Sequence, residues 1–389
     1  MKYGLVRISF YTSLLLIIAF ASATSVDARG ESTCPGVRTT PGAKPTIVME
    51  EVTYFTSSST EFDSRATGNK IELRGLLYYK QATGQKVEGR PVLIYNHGHD
   101  AERGEPCAMV NFFTGQGWIV FAPLRRGHFS DRDKNKKRGA NELRSTGLHI
   151  DEYVTKCMRV NALESLIDLP ELYCSSKRCR PDVPCGMNFK QNAVELAYLK
   201  DQYVDVREQI KYMKLRPALG GRTKPGERLA DPENITVAGH SYGGSLIVLA
   251  NQHDLGQNVM IDISGAELSW GPDEPYWELD LVFAMHDQKR PIYFLQPENG
   301  ITTQPTKVLS RIARQEGIPF EEKIFPPAPC SKTKKVKGKI VCDTSNSSAE
   351  RQAHGTFITV DEQVALWGPT VIEFSERHVK KNGTKRRQS

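Results

Sequence analysis

The residues Gly239-His240-Ser241-Tyr242-Gly243 could do chemistry that no other stretch of this 389-residue chain offers. A short β-branched run, Ile235 to Val237, leads into them, and an apolar run with helical character, Leu246 to Ala250, follows at once. Strand, sharp turn and helix are the setting that a G-x-S-x-G nucleophile elbow requires. Such a turn forces a rare backbone conformation on Ser241, so the residues two before and two after it must lack bulk. Gly239 and Gly243 meet that demand. At a helix N-terminus the serine oxygen meets free N–H groups and the positive end of the helix dipole, which favour developing negative charge. The chemistry expected is acyl transfer through a covalent serine intermediate.

A serine hydroxyl is a weak nucleophile until a base takes its proton, so a histidine is required. Elbow sites run nucleophile, acid, base along the chain. His354, in Ala353-His354-Gly355-Thr356-Phe357, stands between the last expected strand and the closing helix and is the expected base. The oxyanion needs two N–H donors. One is expected from Tyr242, directly after the nucleophile. The second is expected from the turn His97-Gly98-His99-Asp100, through Gly98 and His99, with His97 bracing the turn.

Eight segments read as strands that hold these turns in place: Thr46–Phe55, Lys70–Tyr79, Arg90–Tyr95, Gly117–Ala122, Ile235–Ala238, Val259–Ile263, Pro291–Leu295 and Phe320–Phe325. The first two alternate like antiparallel strands, whereas the later ones are short apolar runs separated by helical patterns. Such spacing predicts a mostly parallel sheet covered on both faces. Asp361–His378 reads as a closing helix. Residues 129–190 interrupt the order with a long polar, cysteine-containing insertion or lid, followed by a helix over Val194–Leu215.

Residues 1–23 read as a secretory signal: Lys2 and Arg7, an apolar core Ile8–Phe20, then Ala21-Ser22-Ala23. Their removal leaves residues 24–389, about 366 in number, enough for one large α/β domain, and predicts a secreted or periplasmic protein without a membrane span. The net charge of +7 gathers in Arg132–Arg144, Lys332–Lys339 and the basic tail 380–389. Such runs are solvated segments or weak contacts for a polyanion. No nucleic-acid module is visible. Eight cysteines in an exported chain predict disulfides. Cys330 and Cys342 flank a lysine-rich segment and are expected to pair. Cys174, Cys179 and Cys185 lie in one loop, and their spacing does not match a zinc site.

Four motifs together resemble the α/β-hydrolase fold: Asn96-His97-Gly98, Arg125-Arg126-Gly127-His128, the elbow, and His354-Gly355-Thr356-Phe357. Within that fold they are most similar to dienelactone hydrolase-like and prolyl-oligopeptidase-type catalytic domains. The resemblance covers about residues 45–379 except the insertion. It implies an α/β-hydrolase architecture with a mostly parallel eight-stranded sheet and helices on both faces, which this sequence interrupts with the Cys-rich insertion after strand four. A serine where the dienelactone hydrolases carry cysteine favours the esterase or peptidase members. The resemblance also implies a triad acid after strand seven, in a turn like Gln-x-Glu-Asn-Asp. Here the turn is Gln296-Pro297-Glu298-Asn299-Gly300, with glycine where aspartate is expected. Glu298 is the acid expected; an acid after strand six, Glu267 or Asp273, and an impaired site are the other readings.

The activity expected is hydrolysis of a carboxylic ester by an exported serine hydrolase, using no cofactor and no metal, on a small-molecule ester or a short peptide. Peptidases of the resembling type commonly carry a large N-terminal gating domain, and only about twenty residues precede the first strand of the mature chain. The alternatives are a prolyl-oligopeptidase-type serine peptidase and a catalytically impaired binding protein on the same scaffold.

Overall fold

The order in which nine strands lie side by side brings the ends of four of them to one edge of the molecule. The computed structural model describes residues 34–57, 70–98, 106–125, 199, 202–270, 275–336, 339–345 and 347–386. The signal segment, the insertion 129–190, His99, Asp273, and Cys157, Cys174, Cys179 and Cys185 lie outside the described residues.

The elements are β1 (Val37–Arg38), β2 (Thr46–Ser57), β3 (Lys70–Gln81), β4 (Arg90–Asn96), α1 (Cys107–Gly115), β5 (Ile119–Pro123) and α2 (Tyr203–Leu215). They continue with β6 (Ala230–His240), α3 (Tyr242–Ala250), β7 (Val259–Ile263), α4 (Pro275–His286), β8 (Ile292–Pro297), α5 (Gln304–Gln315) and β9 (Phe320–Phe325). The last are β10 (Thr333–Val336), β11 (Lys339–Cys342), α6 (Ala349–Thr359) and α7 (Asp361–Arg386).

The main sheet has the order β1-β2-β3-β5-β4-β6-β7-β8-β9. The pairs β2/β3 and β3/β5 are antiparallel, and every pair from β5 to β9 is parallel. This is the α/β-hydrolase fold. The sheet has one strand more than the eight expected, because β1 is a two-residue strand parallel to β2, too short to leave an alternation in sequence.

The central strands read as unbroken apolar runs because both faces are covered. In β4, Val92 and Ile94 point into one core, with Leu93 and Tyr95 in the other. Ile292 and Phe294 of β8 divide from Tyr293 and Leu295 in the same way. One core takes side chains from α2, α3, α4 and α5; the other takes them from α1, α6 and α7. Successive side chains alternate across the sheet, so a run with period two carries two cores. No helix of the described residues is long and apolar enough to cross a membrane.

Two disulfides brace the described residues. Cys330 is joined to Cys342 across the foot of the β10/β11 ribbon. Cys34 is joined to Cys107 at the start of α1, a pairing across 73 positions that no sequence pattern suggested.

Candidate active site

Ser241 sits at the junction of β6 and α3 with φ 55° and ψ −119°, one of three non-glycine residues with positive φ in the described chain. Holding such a conformation costs about 1–3 kcal/mol and persists only where the surroundings impose it. The imposition is visible. The Ser241 N–H donates to Ile263 O of β7 at 3.0 Å, and Ser245 N–H donates back to Ser241 O at 3.1 Å. A Cβ on Gly239 would collide with the Gly243 carbonyl, and one on Gly243 with the Asn96 and His97 carbonyls. The glycines are therefore needed for close backbone approach: β4 and the elbow helix touch main chain to main chain. Gly98, at the end of β4, lies against the nucleophile, and a Cβ there would be 3.3 Å from Ser241 Cβ.

His354 lies inside α6 and is 5% exposed. Its Nδ1 is 2.9 Å from Glu267 Oε2. An ionised carboxylate only accepts, so Nδ1 donates and the lone pair of the ring rests on Nε2. That Nε2 is buried and has no hydrogen-bond partner among the described residues. The ring packs 4.4 Å from His240, the residue before the nucleophile, and His240 Nε2 is 3.1 Å from the His354 carbonyl. A carbonyl only accepts, so His240 donates there and ties the base helix to the elbow. Burial, with the neighbouring His354 as a second cause, holds the His240 imidazole well below the usual histidine range. It stays neutral, and puts no fixed positive charge beside His354.

Glu267 is 2% exposed, and its Oε2 also accepts from Ile301 N–H at 2.9 Å. It follows β7 in a turn where Ser264 (φ 52°) and Ala266 (φ 61°) both adopt the left-handed conformation. Asp262, at the base of that turn and buried, accepts from Gly265 N–H at 2.8 Å. Burial pushes the Asp262 carboxyl up to about 7, with Glu267 nearby adding to the rise against the Gly265 hydrogen bond. Glu298 is not brought to His354. Its side chain is exposed in the turn after β8, and its N–H donates to Phe325 O at 2.8 Å. The expectation for Glu298 is corrected on geometric grounds: the turn that carries it faces solvent, and the carboxylate at the histidine comes from the end of β7. Asp273 lies outside the described residues.

On the other side of Ser241, Arg125 braces the expected oxyanion donors. The guanidinium is 1% exposed, with Nε donating to His97 O at 3.0 Å and Nη2 to Gly98 O at 2.9 Å. Nη1 donates to Gln202 Oε1 at 3.3 Å, and the plane lies 4.8 Å from the Tyr242 ring. One planar fork thus holds both carbonyls of the Gly98 turn and packs on the residue that follows the nucleophile. Peptide bonds are trans here, so pinning His97 O toward Arg125 aims Gly98 N–H the opposite way. His97 completes the turn: its Nε2 accepts from Arg125 N–H at 3.1 Å, leaving Nδ1 to donate to Gly98 O at 2.8 Å. The other expected donor residue, His99, lies outside the described residues. Sequence reasoning named Arg125 only as part of a motif; a doubled arginine directly after an apolar strand was the available signal. Among the described residues no cluster of three or more His, Cys, Asp or Glu side chains is arranged to hold a metal ion.

No family model and no curated protein matches the chain. Among solved structures it is similar to an acetyl xylan esterase from Paenibacillus sp. R4, at 15% identity and TM-score 0.41, over 72% of this chain and 77% of that one. It is similar to Pyrococcus horikoshii acylaminoacyl peptidase at 14% identity and TM-score 0.45, over 86% of this chain but only 42% of that one. It is also similar to the alpha/beta hydrolase GrgF from Penicillium sp. sh18, at 11% identity and TM-score 0.44, over 85% of this chain and 99% of that one. These likenesses concern the fold alone; the chemistry rests on the residues of the site.

Proposed function

We propose that this chain is an exported serine hydrolase that transfers the acyl group of a carboxylic ester to water. The observation that carries the reading is the Glu267–His354 pair packed on the residue before a strained serine, with Nε2 of the histidine left without a partner among the described residues. His354 Nε2 takes the proton of Ser241, whose oxygen attacks the ester carbonyl. The oxyanion is received by the N–H of Tyr242 and the turn at Gly98 and His99. As the tetrahedral intermediate collapses, the imidazolium returns its proton to the leaving alcohol, and an acyl-enzyme remains. Water then attacks the acyl carbon with its proton passing to the same Nε2, and Ser241 is regenerated.

Glu267 takes the part for which Glu298 was expected: it fixes the histidine tautomer and stabilises the imidazolium. The alternative of an impaired binding protein was motivated by Gly300 and by the Cys-rich insertion; the Glu267 contact supports the enzyme reading against the first of these, and the insertion lies outside the described residues. Export is supported by the two disulfides, which persist in oxidising compartments.

A fluorophosphonate probe on the purified protein tests the reading. Wild type should label, and Ser241→Ala and His354→Ala should not. Acyl p-nitrophenyl esters should turn over faster than matched p-nitroanilides; the reverse order would make the protein a peptidase. If wild type stays unlabelled where a control esterase labels, the hydrolase reading fails.

A further inference from the structure

We infer that the ribbon formed by β10 and β11 is a docking surface for an anionic phospholipid bilayer. The ribbon is a sheet of its own, separate from the nine strands, and all but its last residue are exposed. A lone two-stranded hairpin is marginally stable in water, yet this one is fastened at its foot in two ways. Cys330 is bonded to Cys342. Gln352, two residues before His354 in α6, accepts from Ser331 Oγ and Lys332 N–H at 3.1 Å each and donates to Asp343 O at 2.7 Å and Ser347 O at 3.0 Å.

What the ribbon holds out is patterned. Its three outer rungs pair Lys334 with Val341, Lys335 with Ile340, and Val336 with Lys339, one lysine and one aliphatic residue each. Ile340 is 77% exposed, the most exposed large hydrophobic side chain described, and Val336 and Val341 are 44% and 40% exposed. Lys334 meets Asp343 at 3.2 Å, whereas Lys332, Lys335 and Lys339 have no acidic partner among the described residues.

Charge complementarity calls for an anionic partner, and the aliphatic half of each rung decides which. Branched aliphatic side chains gain nothing from a sugar surface but are favoured in the acyl boundary of a bilayer, where lysines extend to the phosphates. The same rung chemistry faces both sides of the ribbon, so it can lie down on either face. The inference does not depend on the catalytic reading.

Full-length protein sedimented with vesicles tests it. Binding is expected to vesicles of phosphatidylcholine with about a quarter phosphatidylserine and not to pure phosphatidylcholine, and to weaken between about 50 mM and about 500 mM salt. Lys335→Glu with Lys339→Glu should weaken binding by at least about tenfold. Ile340→Ser should weaken it several-fold and remove the part that survives salt. All variants should melt like wild type and keep its fluorophosphonate labelling. Equal binding to both vesicle types overturns the inference, as do variants that bind like wild type. Retention on heparin with no vesicle binding also overturns it and assigns the ribbon to a polysaccharide.

Discussion

The carboxylate of Glu267 occupies the space in which a side chain at Gly300 would have to begin. A Cβ built on Gly300 would lie 2.6 Å from Glu267 Oε1 and 2.8 Å from Oε2. A residue with any side chain at 300 and the present position of Glu267 exclude one another. The glycine that looked like a missing acid is the vacancy that admits an acid from the neighbouring strand.

The exchange can be tested in both directions. Glu267→Gln should lower kcat by about 10⁴-fold, the loss expected when the base keeps its place but loses its orienting charge. Glu298→Ala should leave kcat within about twofold, as a surface change does. Adding Gly300→Asp to Glu267→Ala should recover part of the activity, because the truncation opens the space that the aspartate needs. Equal damage from Glu298→Ala and Glu267→Gln in steady-state kinetics would sink the assignment.

Arg125→Lys keeps the charge but loses the fork that holds His97 O and Gly98 O together. The expected result is a fall in kcat of about 10²-fold with KM little changed, the signature of a weakened oxyanion site. Affinity for a boronic acid, which mimics the tetrahedral intermediate, should fall in parallel. A variant that loses only KM would mean that Arg125 contacts substrate instead.

Asp262 gives the fold a pH dependence of known sign. Its carboxyl is pushed from 3.8 up to about 7 by burial, so the folded state holds the proton more tightly than the unfolded chain. The stability from this group is fully present below about pH 4 and is lost as pH rises through about 7. Asp262→Asn keeps an acceptor for Gly265 N–H without the charge. Its Tm should therefore gain on wild type as pH is raised from about 5 to about 8. Parallel Tm curves would show that Asp262 is not the group responsible.

The two disulfides should contribute unequally. In the chain-entropy account, a loop of 73 residues closed by Cys34–Cys107 is worth about 4 kcal/mol, and the 12-residue loop of Cys330–Cys342 about 3 kcal/mol. Cys34→Ser with Cys107→Ser should lower the urea midpoint more than the matching change at Cys330 and Cys342. The opposite ranking would point to strain or residual structure in the unfolded chain.

Most of the site that could be read in advance is local. Ser241 announced itself because its needs fall within two residues on either side: glycine where backbones touch, a strand before, a helix after. His354 was proposed as the base from chain order, and it lies in a helix where the sequence suggested a loop. The eight expected strands were visible, two from alternation and six from short apolar runs, while the two-residue β1 was not. Glu298 was preferred in sequence, whereas the carboxylate beside His354 is that of Glu267. The turn that carries Glu267 has left-handed φ at Ser264 and Ala266, residue types that seldom adopt it and so give no warning.

The amino-acid order alone determined the alternation of strand and helix and marked Ser241 and His354 as the residues proposed to act, since each reading follows from position along the chain. Which carboxylate faces His354, which arginine holds the Gly98 turn and which cysteine closes on Cys34 were decided only by packing. Those contacts span 87, 27 and 73 positions, separations at which local spacing carries no signal.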